Sequence, residues 1–169
     1  MNGLQEAFRH NSWATKELLS ACRNLSEDQL SASAPGAYGD ILATFNHLAR
    51  AEAGYARRLT GRTVAWLDRD GDETVDIETL EGRIDELAPI WEDFTSRPVD
   101  AEPIIILNQG AYEAHAGVLV AQVLNHGNAH REQICAILTA ANIQPPDIQA
   151  WAYGEATGRG RSRSPDQDG

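Results

Sequence analysis

The segment HAGVLVAQVLNHGNAHREQICAILTAA, residues 115–141, carries the strongest helical pattern of the chain. Its apolar residues occur on more than one side, as expected for a helix that several neighbours contact. His126 and His130 are four residues apart in it, so both project from one face about one turn apart. Leu119 and Val123 share that face, which directs the pair toward a bundle interior. The segment therefore predicts the central helix of an all-α bundle, and its two histidines are candidate ligands of a metal ion.

Amphipathic stripes predict three further long helices before this segment. Their ranges are 4–25, 40–59 after a cap at Asp40, and 76–94 after a cap at Asp76 or Thr74. The acidic stretch 63–76 between the last two predicts a loop, because it contains the turn signal Asp70-Gly71. Trp13 falls on the side of the first helix opposite its apolar stripe, which predicts a second contact surface there.

Shorter elements complete the predicted fold, a four-helix bundle with extra short helices. Helical patterns cover 26–30 and 147–155, capped by Ser26 and Asp147. The β-rich run 104–112 around Asn108-Gln109-Gly110 predicts a small hairpin before the last long helix. We predict one helical domain over residues 1–157 and a disordered tail over 158–169, since the tail has no apolar residue with which to offset its ordering entropy.

Composition and charge narrow the class of protein. The chain has 169 residues, 42% of them hydrophobic and 23% charged, which predicts one globular domain with a substantial core. Fourteen Lys and Arg stand against 25 Asp and Glu, a formal net charge of −11. Such a surface repels phosphate backbones and anionic lipid, so we expect neither a nucleic acid nor a membrane as partner.

The N-terminus and the cysteines indicate where in the cell the protein is located. The N-terminal residues mix acids and bases and contain no apolar core of a signal peptide, and no apolar run approaches the roughly 20 residues that span a bilayer. Cys22 and Cys135 sit in separate helical patterns, typical of buried thiols in a reducing compartment. We therefore predict a cytoplasmic protein.

A third metal ligand has to come from another helix. His47 is the best candidate, but it lies on a flank of small residues that suits either a groove or an exposed face. His115 is eleven residues from His126, about 16 Å along the helix, and cannot share its ion. His10 points away from its helix stripe and is expected to be solvated. The spacing of His126 and His130 also arises by chance, so two histidines bound to core partners or exposed at the rim remain an alternative.

A set of short motifs, in this order along the chain, resembles the DinB/YfiT-like family of metal-dependent four-helix-bundle proteins over about residues 1–155. The motifs are Trp13, the segment LSEDQL, His47-Leu48 with Ala51-Glu52, Asn125-His126, His130-Arg131 and Gln133-Ile134. The chain departs from the common pattern at Gly127 and Glu132, which are not among the candidate ligands.

The resemblance implies a bundle in which His47, His126 and His130 bind one divalent metal ion at one end. Zinc or nickel is the expected metal, and iron and manganese are further candidates. Characterised branches of the family include transferases and isomerases that use low-molecular-weight thiols such as bacillithiol, mycothiol or glutathione. The leading hypothesis is thus a thiol-dependent S-transferase, or a related transferase or isomerase, with a small-molecule substrate. The alternatives are a non-catalytic, stress-associated metal-binding bundle and a metal-free dimerisation bundle.

No catalytic or thiol-binding residue can be assigned from the sequence, but the ligands have polar neighbours. The neighbours that could orient the histidine rings or bind substrate are Asn46, Glu52, Asn125, Asn128 and Gln133. Arg131 is interpreted as pairing with a surface acid, with the carboxylate of a thiol cofactor as the alternative. Spare apolar surface on the last long helix predicts a homodimer; it comprises Val118, Leu124, Cys135 and Leu138.

Overall fold

Four long helices and a small hairpin make up the protein in a computed structural model that describes residues 2–69 and 73–162. In chain order the elements are α1 (Gly3–Cys22), α2 (Glu27–Leu30), α3 (Ile41–Thr60), α4 (Ala65–Arg69), α5 (Ile77–Thr95), β1 (Ile104–Leu107), β2 (Tyr112–His115), α6 (Ala116–Ala140) and α7 (Ala150–Ala156). α1 packs against α5 and α6, and α3 packs against the same two helices. The predicted four-helix bundle is confirmed.

Local signals set the ends of the long helices. The side chains of Asp40 and Asp76 each accept a hydrogen bond from the backbone N–H three residues on, at 2.7 and 2.8 Å. Asp76, and not Thr74, is therefore the cap of α5. Thr60 is the last residue of α3. Its C-cap is Gly61, whose φ of 73° lies in the left-handed region that glycine adopts without strain.

The hairpin and the short helix α2 also form where the sequence predicts them. β1 and β2 are antiparallel, with Ile104 opposite His115 and Leu107 opposite Tyr112. Ser26 caps α2. The prediction of a loop over 63–76 is wrong in part, because the described residues of that stretch include the helix α4. Val64 and Trp66 bury their apolar side chains there, and that burial organises an otherwise acidic stretch.

The last helix begins later than predicted. α7 starts at Ala150 after Gln149 and not after Asp147. The Asp147 carboxylate accepts a hydrogen bond from the backbone N–H of Gln149 at 3.0 Å, two residues on, which is the geometry of an Asx turn and not of a helix cap. The turn places Ile148 in the core ahead of the helix.

α7 supplies the second contact surface that Trp13 predicts on α1. The rings of Trp13 and Tyr153 meet edge to face with centroids 5.6 Å apart. His10 also belongs to this surface, where its Nε2 lies 2.8 Å from the carbonyl oxygen of Ile148. The expectation that His10 is solvated is therefore wrong, because α7 covers that side of α1.

The core covers most of the large apolar side chains of α6. Leu138 is fully buried, and Leu124 and Cys135 pack against the core of their own chain. Of the four residues behind the predicted homodimer, only Val118 is exposed, at 54%. The homodimer stays a prediction, but helix α6 does not provide the apolar face on which it was based. None of the helices described over 2–69 and 73–162 has the length and apolar character needed to cross a membrane.

The described part of the C-terminal tail contacts α1. The Arg159 guanidinium donates to both carboxylate oxygens of Glu6, at 3.0 and 2.7 Å. Gly160 donates its backbone N–H to the carbonyl of Gly154 at 2.8 Å. Residues 163–169 of the tail that we predict to be disordered lie outside the described residues. The division between 1–157 and 158–169 therefore stays a prediction.

Candidate metal centre

Three histidines from two helices meet at one side of the bundle. α3 contributes His47, and α6 contributes His126 and His130. Each can offer a ring nitrogen such that the three nitrogens lie within 4.8 Å of one another, and the ring centroids are 4.4 to 5.0 Å apart. His115 lies outside this cluster, at the start of α6, with its Nδ1 2.7 Å from the Glu102 carbonyl oxygen.

The spacing of the nitrogens suits a single metal ion. The Nε2 atoms of His47 and His126 are 3.1 Å apart. Two nitrogens that bind one tetrahedral zinc ion at about 2.0–2.1 Å are separated by roughly 3.3 Å, which is close to this distance. A divalent ion of that size therefore fits between His47 and His126, and a nitrogen of His130 lies within 4.8 Å of both.

The rings of His47 and His126 are held in the neutral form that a metal requires. Burial lowers the pKa of His126 to about 4, with smaller contributions from the charges of His130 and His47. Burial also lowers the pKa of His47, assisted by the charge of His130. His47 and His126 are consequently unprotonated at neutral pH, and each has a nitrogen lone pair available for a metal ion.

Gln133 orients the ring of His130, which is one of the two roles that the sequence suggests for the polar neighbours of the ligands. The Gln133 Oε1 lies 2.8 Å from His130 Nδ1, so it accepts the ring N–H there and leaves Nε2 as the ligand atom. Oε1 also accepts the backbone N–H of Tyr38 at 3.3 Å, and Nε2 of Gln133 donates to the carbonyl of Gly36 at 3.2 Å. Gln133 thus joins the ligand to the loop before α3.

We expect Gln133→Ala to weaken divalent metal binding by about 10- to 100-fold, because His130 loses the acceptor that sets its tautomer and ring orientation. A competition titration of zinc against a chromogenic chelator measures the change. Gln144→Ala is the matched control, because Gln144 is an exposed glutamine whose side chain donates to the carbonyl of Pro145. Equal zinc affinities for Gln133→Ala and wild type would contradict the assigned role.

The other candidate neighbours do not orient the ligands. Asn46 exchanges hydrogen bonds with the backbone of Val75, donating to its carbonyl and accepting its N–H, both at 3.1 Å. It therefore fastens the segment before α5 to α3. Asn125 and Asn128 are exposed on α6.

Two tyrosines that sequence analysis did not select surround the histidines. Tyr38 stacks on His47 with centroids 4.0 Å apart and an interplanar angle of 19°. Tyr55 meets His126 edge on, at 5.7 Å. Tyr38 lies in the loop before α3, where helical periodicity carries no information. Tyr55 lies in the apolar stripe of α3, where periodicity indicates a packing residue.

Arg131 is buried in the bundle, so its interpretation as a surface residue is wrong. Its side chain is only 2% exposed. The Nη1 atom donates to Asn11 Oδ1 at 2.8 Å and to Thr15 Oγ1 at 3.2 Å, both on α1. Burial lowers the pKa of Arg131, and the charge of Glu52 opposes that shift.

Glu52 is the buried acid of the same network. Its Oε1 accepts hydrogen bonds from Trp91 Nε1 at 2.7 Å and from Asn11 Nδ2 at 3.2 Å. Burial raises the pKa of Glu52, while the charge of Arg131 and the two hydrogen bonds act in the opposite direction. Glu52 therefore connects α3 to α1 and α5, and it is a structural residue next to the histidines rather than one that orients them.

Gly127 makes room for this network. A Cβ atom at position 127 would lie 2.5 Å from Asn11 Oδ1 and 2.9 Å from Arg131 Nη1. Both atoms belong to one buried hydrogen bond, so neither can move aside without breaking it. Position 127 therefore admits no side chain without disturbing this hydrogen bond.

Gly127→Ala is accordingly expected to lower the free energy of unfolding by about 1–3 kcal/mol, the usual cost of overpacking a well-packed interior. Gly82→Ala is the matched control in the exposed middle of α5, where a new Cβ meets no atom within 4 Å. It should raise the free energy of unfolding by about 0.5–1 kcal/mol. Urea unfolding followed by circular dichroism measures both, and a stabilised Gly127→Ala variant would contradict the steric account.

An open cavity of about 680 Å³ adjoins the cluster, with His47 in its wall. α3, α4, the β1–β2 hairpin and α6 all contribute to its lining. Its position gives a small molecule access to His47. The arrangement therefore has the parts of a metal site with substrate access, namely three imidazole donors, an orienting amide and a cavity.

Comparison with known proteins agrees with the fold and the cluster. No curated protein matches the chain. The sequence model of the DinB family matches residues 1–165, nearly the entire chain. With its helical bundle and its three histidines at a common site, the chain belongs to the DinB family.

Proposed function

We propose that His47, His126 and His130 bind one divalent metal ion and that the protein is a thiol-dependent transferase. The observation that carries the proposal is the convergence of three imidazoles beside an open cavity. The described cluster contains no carboxylate or thiolate ligand, so the donor set does not offset the charge of the ion. Structural zinc sites, by contrast, are usually closed by four protein ligands.

An ion held by three neutral nitrogens would keep a position open for water or a thiol and lower the pKa of that ligand. The chain's own residues supply the surroundings. Gln133 holds the His130 ring in one tautomer, Tyr38 covers one face of His47, and the cavity gives a substrate access to His47.

The reacting thiol comes from solution in this proposal. Burial raises the pKa of Cys22 to about 12 and that of Cys135 to about 11. Both side chains are therefore protonated at neutral pH and are poor nucleophiles. In the reaction, the sulfur of a small thiol forms a bond to an electrophilic carbon. The leaving group departs with its electron pair, and the thiol proton passes to solvent.

The test uses zinc- and nickel-loaded protein with a panel of small thiols and 1-chloro-2,4-dinitrobenzene, following thioether formation by absorbance. We expect a rate that saturates with one thiol, disappears in His126→Ala and persists in His115→Ala. Protein that holds one ion per chain yet accelerates no thiol beyond free metal would overturn the transferase proposal in favour of a non-catalytic metal-binding bundle.

A further inference from the structure

The cavity beside His47 is positively lined although the chain is acidic. Among the described residues of its wall are three arginines, Arg50, Arg57 and Arg58, and no aspartate or glutamate. The formal net charge of the chain is −11, so this is a local reversal of sign. Such a reversal in a concave site concentrates small anions.

The three arginines differ in the groups that their guanidinium groups contact. Arg57 pairs with Asp68 at 2.7 Å, so its charge is largely compensated. Arg50 donates to the carbonyl oxygen of Leu67 at 3.5 Å. Arg58 donates Nη1 to the carbonyl of Gly54 at 2.9 Å, and within 2–69 and 73–162 no carboxylate forms an ion pair with it. Arg58 is therefore the guanidinium best placed to receive an anion.

Gly54 allows the Arg58 side chain to fold back toward the histidines. A Cβ at position 54 would lie 3.2 Å from Arg58 Nη1, so the bare backbone seats the guanidinium. Gly54 follows His47 by seven residues, a rise of roughly 10 Å along α3. Arg50 follows His47 by three residues, a rise of roughly 4.5 Å. Both cations thus lie along one wall that begins at the histidine cluster.

We propose that this wall binds the carboxylate of a small thiol, with Arg58 as the residue that receives it. The planar fork of a guanidinium matches a carboxylate, and charge-assisted hydrogen bonds of this kind are the stronger ones. The sulfur end of the ligand would then lie at His47, His126 and His130. This assignment of the sulfur rests on the proposed function, whereas the carboxylate site stands on the arginines alone.

Two pairs of probes separate these claims. 6-Mercaptohexanoate and 6-mercaptohexanol share a thiol and a six-carbon chain comparable in length with the wall, but only the first has a carboxylate. By calorimetry, zinc-loaded wild type should bind the carboxylate thiol about tenfold more tightly, in line with a charge-assisted hydrogen bond. Arg58→Gln should remove most of this preference. Arg62→Gln, an exposed arginine beyond α3 that faces Asp93 at 3.7 Å, should retain it.

Hexanoate and hexanol test the carboxylate site without any thiol, by ligand-observed nuclear magnetic resonance on the same samples. Hexanoate should show the stronger saturation transfer in wild type and Arg62→Gln, and lose it in Arg58→Gln. If no thiol binds but hexanoate still depends on Arg58, the proposed function fails and the carboxylate site stands. If hexanoate binds wild type and Arg58→Gln alike, or binds neither, the carboxylate site is overturned whatever the thiols do.

Discussion

His126→Ala is expected to abolish divalent metal binding, lowering the affinity by more than about 100-fold. Loss of an orienting residue alone costs about 10- to 100-fold, and loss of a ligand removes a bond to the ion itself. The Nε2 atoms of His126 and His47 are 3.1 Å apart, so removing His126 takes away one of two donors that already have the spacing of a shared ion. Inductively coupled plasma mass spectrometry of untagged protein, with His47→Ala and His130→Ala beside it, gives the metal content per chain.

His115→Ala is the control for this experiment, because His115 belongs to the same helical segment and lies outside the cluster. It should retain about one ion per chain, as wild type should. A wild type that cannot be loaded with zinc, nickel, iron or manganese would refute the metal site. The short distance between His47 and His126 would then be a hydrogen bond between two ring nitrogens, with one ring as donor.

Arg131→Met is expected to lower the free energy of unfolding of the metal-free protein by about 3–5 kcal/mol. Removing the charge of Arg131 leaves the buried Glu52 carboxylate without the cation whose charge opposes its desolvation, and leaving a buried charge uncompensated in this way costs about this much. Here the charge left behind is that of Glu52, which the network holds between Trp91 and Asn11. Asn11 and Thr15 also lose the donor that satisfies their oxygens. Urea unfolding measures the change.

Two further variants distinguish this buried network, in which Asn11 links Arg131 to Glu52, from a surface ion pair. Glu52→Gln combined with Arg131→Met removes both charges, so it should cost clearly less than the sum of the single changes. Arg23→Met breaks the surface pair with Glu81, in which the arginine side chain is 63% exposed, and should cost less than about 1 kcal/mol. Arg131→Met that is no more destabilising than Arg23→Met would contradict the assignment of a buried network.

Local patterns predicted most of the helical architecture. Periodicity identified the four long helices, and capping side chains placed the start of α3 at Asp40 and that of α5 at Asp76 or Thr74, of which the structure has Asp76. The hairpin followed from its turn residues. These features depend on residues a few positions apart, which the chain brings together whatever the rest of the molecule does. The pairing of His126 and His130 on one face has the same origin, since it follows from the pitch of a single helix.

The remaining features depended on how the helices pack. Periodicity left His47 undecided between a groove and an exposed face, and the family resemblance rather than spacing selected it. Arg131 was expected at the surface because arginines usually are, yet the approach of α1 to α6 buries it against Asn11. The cavity that includes His47 and Arg58 in its wall likewise exists only because four elements pack around it. The sequence of a helix determines which residues share a face. The distances between side chains on different helices are set only when the helices pack against one another.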